Sequence, residues 1–474
     1  MKREQHTTIL TVLSTLLVTT WCATHVLGGV AFYEIPMVLG DLDNEGRAIT
    51  PDGQFVVGLS GVPESTTSHG FLYQVGAGSA INIYSADNAQ ATIATGVGYR
   101  TSGTTTELII AGRSYAAGNY SPTEWMTTDG GATFASKRRT ASFVVNTIPA
   151  ANMLGASTAS DVYYVTSGLD ISGEPVYLNQ LAGPWIPTIT YSQKGITKPA
   201  RSLMNGVSAS GRAAGWRTDS TDTYRQNYMI TWNGTATPAP VFFNGLDGST
   251  AGEAFSISAD GNTIFGRSPT VSDPYSTYAY KVENPGPSQT INALPEFPDT
   301  AGSGTRAVPY GCTPDGKYAV GMNYRGTEEA VVWDTSDPDP AKWTVLDLTE
   351  LAKFLGLNGS FTRLNRAYSV GTNGTGLVIT GVGIWQPEEP IYARAFVMTV
   401  PLPLAPVVRL SSAGGLYTLS YLGLGNATTV LEYTTNLSLP NLWSPLDSST
   451  SGSTATYDDV APADPQRFYR ARLQ

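Results

Sequence analysis

A short pattern recurs along this chain at intervals of about fifty residues. Each copy holds a turn with Asp-Gly or an equivalent pair, a short apolar strand and a closing glycine, as in Ile49–Gly58, Ile257–Gly266 and Cys312–Gly321. Neighbouring closing glycines lie 47 to 60 residues apart. They are Gly58, Gly112, Gly168, Gly215, Gly266, Gly321 and Gly381. Self-similarity at this period is typical of solenoids and propellers, so the repeat constrains the fold more than any other feature.

The chemistry of one copy predicts β-structure. Asp-Gly favours a hairpin turn because Gly accepts positive φ. Val56-Val57 and Ile264-Phe265 are strand formers with no polar face, so we expect both faces to be buried between neighbouring sheets. A second strand with an aromatic or apolar end follows each copy, as in Val331-Val332-Trp333. Fifty residues hold about four short strands, which is one propeller blade.

A single blade cannot bury its own faces, so several must pack around an axis. The sequence therefore predicts an all-β chain with a seven-bladed β-propeller followed by a small β-sandwich. Six or eight blades stay open as alternatives, because the third copy, at 161–168, is degenerate. Residues 32–36 precede the first copy and are expected to supply a strand that closes the ring against the last blade.

Composition excludes two broad classes. Apolar residues make up 41% of the 474 residues and charged residues 14%, which is not the composition of a disordered chain. The net charge is −10 and no basic patch is visible, so no nucleic-acid partner is predicted.

The first residues have the layout of a secretory signal peptide. Lys2 and Arg3 precede an apolar stretch over 9–27, and small residues follow at Gly29-Val30-Ala31. We predict a leader over 1–31, with cleavage after Ala31; an uncleaved membrane anchor is the alternative. No later stretch is long and apolar enough to span a bilayer, so the mature chain is expected to have no transmembrane segment.

The pattern changes near residue 400. The propeller is expected over 32–400, a Pro-rich linker over 401–406 and the β-sandwich over 407–474, with Trp443 in its core. Three arginines concentrate positive charge on the last strand. They are Arg467, Arg470 and Arg472. We expect a solvated strand face there, with sorting or docking as the alternative.

Residues that could carry chemistry are scarce. After leader removal the chain keeps one cysteine, Cys312, and one histidine, His69, so no multi-histidine metal site is possible. We expect Cys312 to be buried and His69 to lie at the surface. The Asp-Gly turns lack the alternating acids of a calcium loop, so no metal and no cofactor is predicted. Residues 127–134 fit the Asp-box pattern of sialidases, in which the Asp stabilises a hairpin and takes no part in the reaction.

Residues 257–268, with Tyr278-Ala279-Tyr280 after them, resemble the HAF-type extracellular repeat of bacteria. The helix-like insertion over 348–357 before the final repeat is similar to that family too. The resemblance covers about residues 40 to 400. The literal His-Ala-Phe triplet is absent, and His69-Gly70-Phe71 is its nearest equivalent. The resemblance implies an exported bacterial propeller and brings no catalytic residues with it.

The residue after each closing glycine should lie at the same height in every blade. It is apolar in some copies and cationic or aromatic in others, and further arginines lie nearby. The binding candidates are Arg113, Trp216, Arg217, Arg267 and Arg325. If that end forms the channel mouth, these side chains could present cations and an aromatic plate to an acidic glycan; ordinary packing between blades is the alternative.

We therefore predict a protein located outside the cell or on its surface that binds an extracellular ligand, either a glycan or a protein. The alternative is a carbohydrate-active enzyme, either a sialidase-like hydrolase or a polysaccharide lyase. An enzyme is the less favoured interpretation, and no catalytic residue is assigned. The sequence does not indicate an oligomeric state.

Overall fold

The computed structural model describes most of residues 29–138 and 202–474. The gaps are 62–67, 85–90, 117–118, 219–224, 232–240, 299–303, 386–391, 414–415, 436–442, 461–466 and a few single positions. Before residue 29 and between 139 and 201 it describes only isolated strands. These are Leu10–Thr11, Tyr163–Tyr164, Val176–Asn179, Ile186–Pro187, Ser192–Gln193 and Ile196–Thr197. The third repeat copy therefore lies almost entirely outside the described residues.

Six antiparallel four-stranded sheets account for the repeats that are described, and we call them sheets A to F in chain order. Sheet A is Asn44–Ile49, Phe55–Ser60, His69–Gln74 and Ile81–Ile83; sheet B is Ala91–Ser102, Thr105–Ala116, Asn119–Thr127 and Ala135–Arg138. Sheet C is Ser202–Val207, Arg212–Thr218, Arg225–Thr231 and Val241–Phe242; sheet D is Glu253–Ile257, Thr263–Ser268, Ser276–Glu283 and Thr290–Ala293, with Gly304–Thr305 beside its third strand. Sheet E is Ala307–Cys312, Tyr318–Tyr324, Glu328–Asp334 and Thr344–Asp347; sheet F is Phe361–Thr372, Gly376–Trp385, Tyr392–Pro401 and Ala31–Glu34. Short 3₁₀ turns occur at Leu246–Gly248 and Pro340–Lys342.

The fourth strand of sheet F comes from the other end of the repeat region. Ala31–Glu34 pairs antiparallel with Tyr392–Pro401, with Tyr33 opposite Val397. Sheet F also packs on sheet A, since Val378 and Val397 share one hydrophobic cluster with Val56. The strand expected from residues 32–36 is thus present, and it links the last repeat to the first.

The first strand of each sheet lies innermost. One small axial cavity of about 30 Å³ is lined by first-strand residues of five different sheets. Only strands arranged around a common axis can share such a cavity, so the described part of the chain is nearly all-β and propeller-like.

Paired apolar residues in the second strands explain why the sheets pack side by side. Successive side chains of a strand point to opposite faces. Val56 therefore joins the cluster between sheets F and A, whereas Val57 joins the cluster between A and B. Ile264 and Phe265 divide in the same way on the two sides of sheet D. The second strands are thus buried on both faces, as the sequence predicts.

Each described inner strand contains a β-bulge opposite the closing glycine. In sheet A, Gly46 pairs with Gly58 and Ala48 with Val57, which leaves Arg47 as the extra residue. The bulge brings the carbonyl oxygen of Glu45 to where a Cβ at Gly58 would be. The closing glycine is therefore required within its own sheet, because the bulged backbone occupies the space of a side chain.

The two ends of the inner strands define two faces of the ring. At one end, which we call the turn face, the Asp-Gly hairpins join the first and second strands. The opposite end, which we call the mouth face, is where the inner strands begin, at residues such as Asn44 and Glu253.

Hydrogen bonds of the Asp carboxylates close the hairpins of the turn face. A hydroxyl two residues earlier donates to the carboxylate, from Thr50 to Asp52 at 2.6 Å and from Thr313 to Asp315 at 2.6 Å. The same oxygen accepts the backbone N–H two residues later, and the Gly after each Asp has φ of 65° to 75°. Backbone hydrogen bonds also join one turn to the next, as from Ala259 to the Pro314 carbonyl at 2.8 Å. These Asp residues therefore stabilise the hairpin turns.

The C-terminal residues form two further sheets that share one hydrophobic cluster. One sheet is Val407–Ala413, Leu416–Leu422 and Thr454–Val460; the other is Thr429–Thr434, Ser444–Ser449 and Phe468–Leu473, beside which Leu10–Thr11 also pairs. Leu419, Tyr421, Leu431 and Tyr469 form the shared core.

The structure corrects the expectation that Trp443 lies in this core. The side chain is only half-buried and lies under the Arg470 guanidinium, which is 4.1 Å from the ring centroid.

The insertion before the last repeat is a helix, as expected. It spans Leu348–Leu355, begins after the N-cap Asp347 and ends at Gly356, which has φ of 67°. Its buried side packs against sheets E and F and against Leu422 and Leu424 of the C-terminal part. Among the described residues, no helix is both long enough and apolar enough to cross a bilayer.

Candidate binding site at the channel mouth

The bulge opposite the closing glycine leaves one extra residue in each described inner strand. These extra residues are Arg47, Thr95, Asn205, Phe255, Tyr310 and Tyr368. A small residue follows each of them and leaves room for the neighbouring inner strand. The clearest case is Gly311, where a Cβ would lie 2.7 Å from the carbonyl oxygen of Tyr368 in the next sheet. The bulge thus narrows the space around the axis. It also turns one side chain per sheet toward the neighbouring inner strands.

Four of these side chains form a continuous row of ring contacts across sheets D, E, F and A. The rings of Phe255 and Tyr310 meet edge to face at 5.8 Å, and those of Tyr310 and Tyr368 lie 5.2 Å apart. The Arg47 guanidinium lies over the Tyr368 ring at 4.6 Å. Contacts of this kind stabilise the row by about 0.5–1.5 kcal/mol each beyond the area they bury. We call the row the aromatic row.

Arginine–glutamate pairs flank the aromatic row. Arg366 makes a bidentate pair with Glu328, with both N–O distances at 2.6 Å, and its Nη1 lies 3.5 Å from the Tyr368 hydroxyl. Arg47 pairs with Glu45. Arg366 is 39% exposed, so its guanidinium reaches solvent at the mouth. The carboxylates fix the guanidinium planes and leave further N–H groups for a ligand.

At the other end of the aromatic row, Glu253 holds two arginines. Its Oε1 lies 2.6 Å from Arg225 and 2.9 Å from Arg267. Arg225 stacks over the Trp216 ring at 4.2 Å, and Arg267 lies over Phe255 at 5.6 Å. Trp216 and Arg267 are therefore brought into one cluster, although 51 positions separate them in the chain.

The residues after the closing glycines occupy equivalent places, as the sequence predicts. Each pairs with the inner-strand residue at the same register, Trp216 with Leu203 and Arg267 with Glu253. Arg113 pairs with Ile93, and Arg217 with Ser202. The side chains of Arg113 and Arg217 lie outside the described residues.

Arg325 belongs to a different environment from the other candidates. Its Nη1 lies 3.1 Å from Asp347 and 3.3 Å from Glu329, and its Nη2 lies 3.3 Å from the Ser453 hydroxyl of the C-terminal part. Its guanidinium also covers Phe297 at 4.8 Å. Arg325 therefore connects sheet E to the C-terminal part.

The axis below the mouth is almost filled. The cavity of about 30 Å³ is bounded by Tyr310 and Tyr368 together with small residues such as Gly206, Ser256 and Gly311. It has room for about two or three waters at most, since a single water needs about 10–15 Å³. A ligand at this end must therefore lie across the mouth.

The described phenol and carboxylates of the mouth are either protonated or paired. Burial raises the pKa of Tyr310 to about 12, so its phenol stays protonated at neutral pH. Each of the glutamates described above, Glu45, Glu253 and Glu328, is paired with an arginine. Away from the mouth, burial raises the pKa of Cys312 to about 12, which agrees with its expected role as a buried residue.

His69 is partly exposed, as expected of a surface histidine, and it pairs with an acid. Its Nδ1 lies 2.9 Å from Asp41, and the imidazole is 27% exposed. Ser60 lies opposite His69 in the sheet, but its hydroxyl is directed to the Asp43 carbonyl at 3.5 Å. Within the part of the chain that is described, no three His, Cys, Asp or Glu side chains converge in a way that could hold a metal ion.

The last-strand arginines of the C-terminal part are neutralised by buried acids. Arg470 and Arg472 both bond to Glu432, at 2.8 and 2.9 Å, and Arg467 bonds to both oxygens of Asp459. They do not form a free positive stripe.

Sequence reasoning missed Arg47, Phe255, Tyr310, Tyr368 and Arg366. For the bulge residues the sequence does contain a signal. Each of them is followed by Ala, Gly or Ser and then by Ile, Val or Cys, as in Phe255-Ser256-Ile257. The pattern lies in the strand before the Asp-Gly turn, whereas the predicted binding residues lie after the closing glycine.

Solved structures to which this chain is similar superimpose on it only loosely. A prolyl oligopeptidase B from Galerina marginata superimposes with a TM-score of 0.41 at 11% identity, over 80% of this chain and 56% of that one. The WD40 domain of SCAP from fission yeast gives 0.38 at 12% identity, over 78% and 98%. The Trypanosoma rangeli sialidase in complex with sialic acid gives 0.33 at 8% identity, over 94% and 91%.

No protein-family model matches the chain, and no curated protein matches it either. The sheets described above thus define a nearly all-β, propeller-like protein, and its site must be interpreted from its own residues.

Proposed function

We propose that this chain is an exported binding protein whose channel mouth holds an acidic glycan. The observation that carries the proposal is the continuous surface from Arg47 across the aromatic row to Arg267. Its partly buried rings would contact the apolar parts of sugar rings, and its guanidinium groups match carboxylates and sulfates in bidentate geometry.

Several structural expectations belong to the same proposal. They are a seventh blade from residues 139–201, a β-sandwich over 407–474, a cleaved leader, a HAF-type repeat and a location outside the cell. The spacing of the closing glycines supports the seventh blade, and the shared core of the two C-terminal sheets supports the β-sandwich.

Exposed apolar side chains also favour the mouth face as the interaction surface. Leu39 and Leu42 lie in the loop that leads to the start of sheet A, and Tyr275 lies in a loop at the same end of sheet D. They are 67%, 59% and 82% exposed. Large exposed apolar residues grouped on one face are typical of binding surfaces.

A glycan array on the exported protein tests the proposal, with uronic-acid, sialylated, sulfated and neutral glycans. We expect retention of acidic glycans. In calorimetry with the best of these, the double variant Arg47→Ala/Arg366→Ala should bind at least about tenfold more weakly, because two charge-assisted hydrogen bonds are lost.

The matched control removes a cation from the turn face. Lys317→Ala alters an exposed pair with Asp315 and should leave the affinity unchanged. The proposal fails if no acidic glycan is retained, or if the double variant binds as well as Lys317→Ala. If the mouth face retains a protein ligand instead, the ligand of this site is a protein and not a glycan.

The enzymatic alternative makes a different prediction for the same sample. A hydrolase or lyase would convert the bound glycan, and mass spectrometry of the incubated array ligands would detect the products. The paired glutamates and the raised pKa of Tyr310 favour binding without turnover.

A further inference from the structure

A second cavity lies on the turn face, where sheet F meets sheet A. It has a volume of about 410 Å³ and opens to solvent. The ring-closing strand contributes Tyr33, sheet A contributes Gln54 and Gln74, and the hairpin of sheet F contributes Thr372 and Asn373. The volume lies within the range of small-molecule sites.

The cavity presents neutral polar groups. Asp52 is the acid at its edge, and its carboxylate is already used by Thr50, by the Gln54 N–H and by the Tyr99 hydroxyl at 2.9 Å. Among the described residues that line it, none is basic. An anion would therefore find no cationic side chain among these residues, in contrast to the mouth.

Side-chain amides supply the hydrogen-bonding groups. Neither the Gln54 nor the Gln74 amide bonds to another described residue, so each offers a donor and an acceptor. The Oδ1 of Asn373 accepts backbone N–H groups from Thr375 at 3.1 Å and Gly376 at 2.9 Å. Those bonds orient the side chain and leave its Nδ2 as a donor.

We propose that this cavity binds a neutral sugar unit, either a free hexose or an uncharged residue of a glycan. Vicinal hydroxyls of such a sugar both donate and accept, which matches the three amides, and the Tyr33 ring offers a flat apolar surface to the sugar's C–H face. The site is separate from the channel mouth and does not depend on the mouth binding anything.

Titration of the exported chain with glucose, galactose, mannose and their uncharged disaccharides tests the proposal, with saturation-transfer NMR to detect binding and calorimetry to measure it. At least one of these sugars should bind. The double variant Gln54→Ala/Gln74→Ala should bind it at least about tenfold more weakly, because two amides are lost.

Gln289→Ala is the matched control, because this half-buried glutamine lies at the turn end of sheet D, where its amide donates to the Asn244 carbonyl at 2.9 Å. It should bind like the unchanged protein, and so should Arg47→Ala/Arg366→Ala, which separates this site from the mouth. The proposal is overturned if none of the sugars binds, or if both glutamine variants bind equally well.

Discussion

At the scale of single residues, the closing glycines and the bulge residues belong to one device. The carbonyl oxygen before the bulge occupies the Cβ position of the glycine opposite, in sheets A, E and F alike. One glycine per repeat thus allows one side chain per sheet to turn toward the axis. The same backbone feature produces the repeat pattern and the surface that we propose binds ligand.

Gly321→Ala tests this device directly. The added Cβ would collide with the Val308 carbonyl oxygen, so we expect a loss of about 2–3 kcal/mol in the free energy of unfolding, measured by denaturant titration. Gly78→Ala is the control, because nothing lies within 4 Å of its Cβ position. Equal stability of the two variants would show that the bulge does not need the glycine.

The residue-level sequence predictions succeeded where a local pattern was sufficient. Val56-Val57 and the Asp-Gly turns could be predicted because strand alternation and turn chemistry act within a few residues. The environment of Trp443 and the partner of His69 could not, because they depend on Arg470 and Asp41 from distant parts of the chain. The Arg325–Asp347 contact was hidden for the same reason.

At the scale of elements, hydrogen bonds within the hairpin turns stabilise the ends of the paired strands. The predicted Asp-box is one such turn and joins the third and fourth strands of sheet B. Asp129 accepts hydroxyls from Thr127 at 2.7 Å and Thr133 at 2.6 Å, and it accepts the Thr133 N–H at 3.0 Å. The Asp therefore stabilises a hairpin, which is the role that the pattern implies.

This turn should make stability depend on pH. The hydrogen bonds from Thr133 and Thr127 lower the pKa of Asp129 below its ordinary value, so the ionised form favours the folded state. The stabilisation is complete above the unfolded pKa of about 3.9 and is lost as the pH falls through the lowered folded value.

Thermal unfolding of Asp129→Asn at pH 7 and near pH 2 tests the sign. The unchanged protein should be more stable than the variant at pH 7, and the difference should shrink in acid. Asp247→Asn, at an exposed position, should show no such trend. A difference that grows in acid would contradict the assignment.

At the scale of the whole molecule, the C-terminal part is docked against the ring. Val345 of the outermost strand of sheet E exchanges backbone hydrogen bonds with Gly425, at 3.2 and 2.8 Å. Asn426 donates to the Trp343 carbonyl at 2.8 Å, and Leu404 of the predicted linker is buried in the same cluster as the helix. The linker is therefore packed, and the two parts are expected to unfold together.

Arg325→Ala should weaken this docking. The Asp347 side chain is fully buried, so removal of the arginine leaves Asp347 and Glu329 without their cationic partner. We expect a loss of about 3 kcal/mol. Proteolysis at residues 401–406 should become faster, whereas Lys317→Ala should change neither quantity. Unaltered proteolysis and stability would contradict the docking role.

We propose that the repeats close into one ring of seven sheets, and a crystal structure of the exported chain tests this closure. We expect a four-stranded sheet from residues 139–201 between sheets B and C, and residues 32–34 in the outer strand of sheet F. Sheets B and C in direct contact, or a chain in which sheets F and A do not meet, would contradict it.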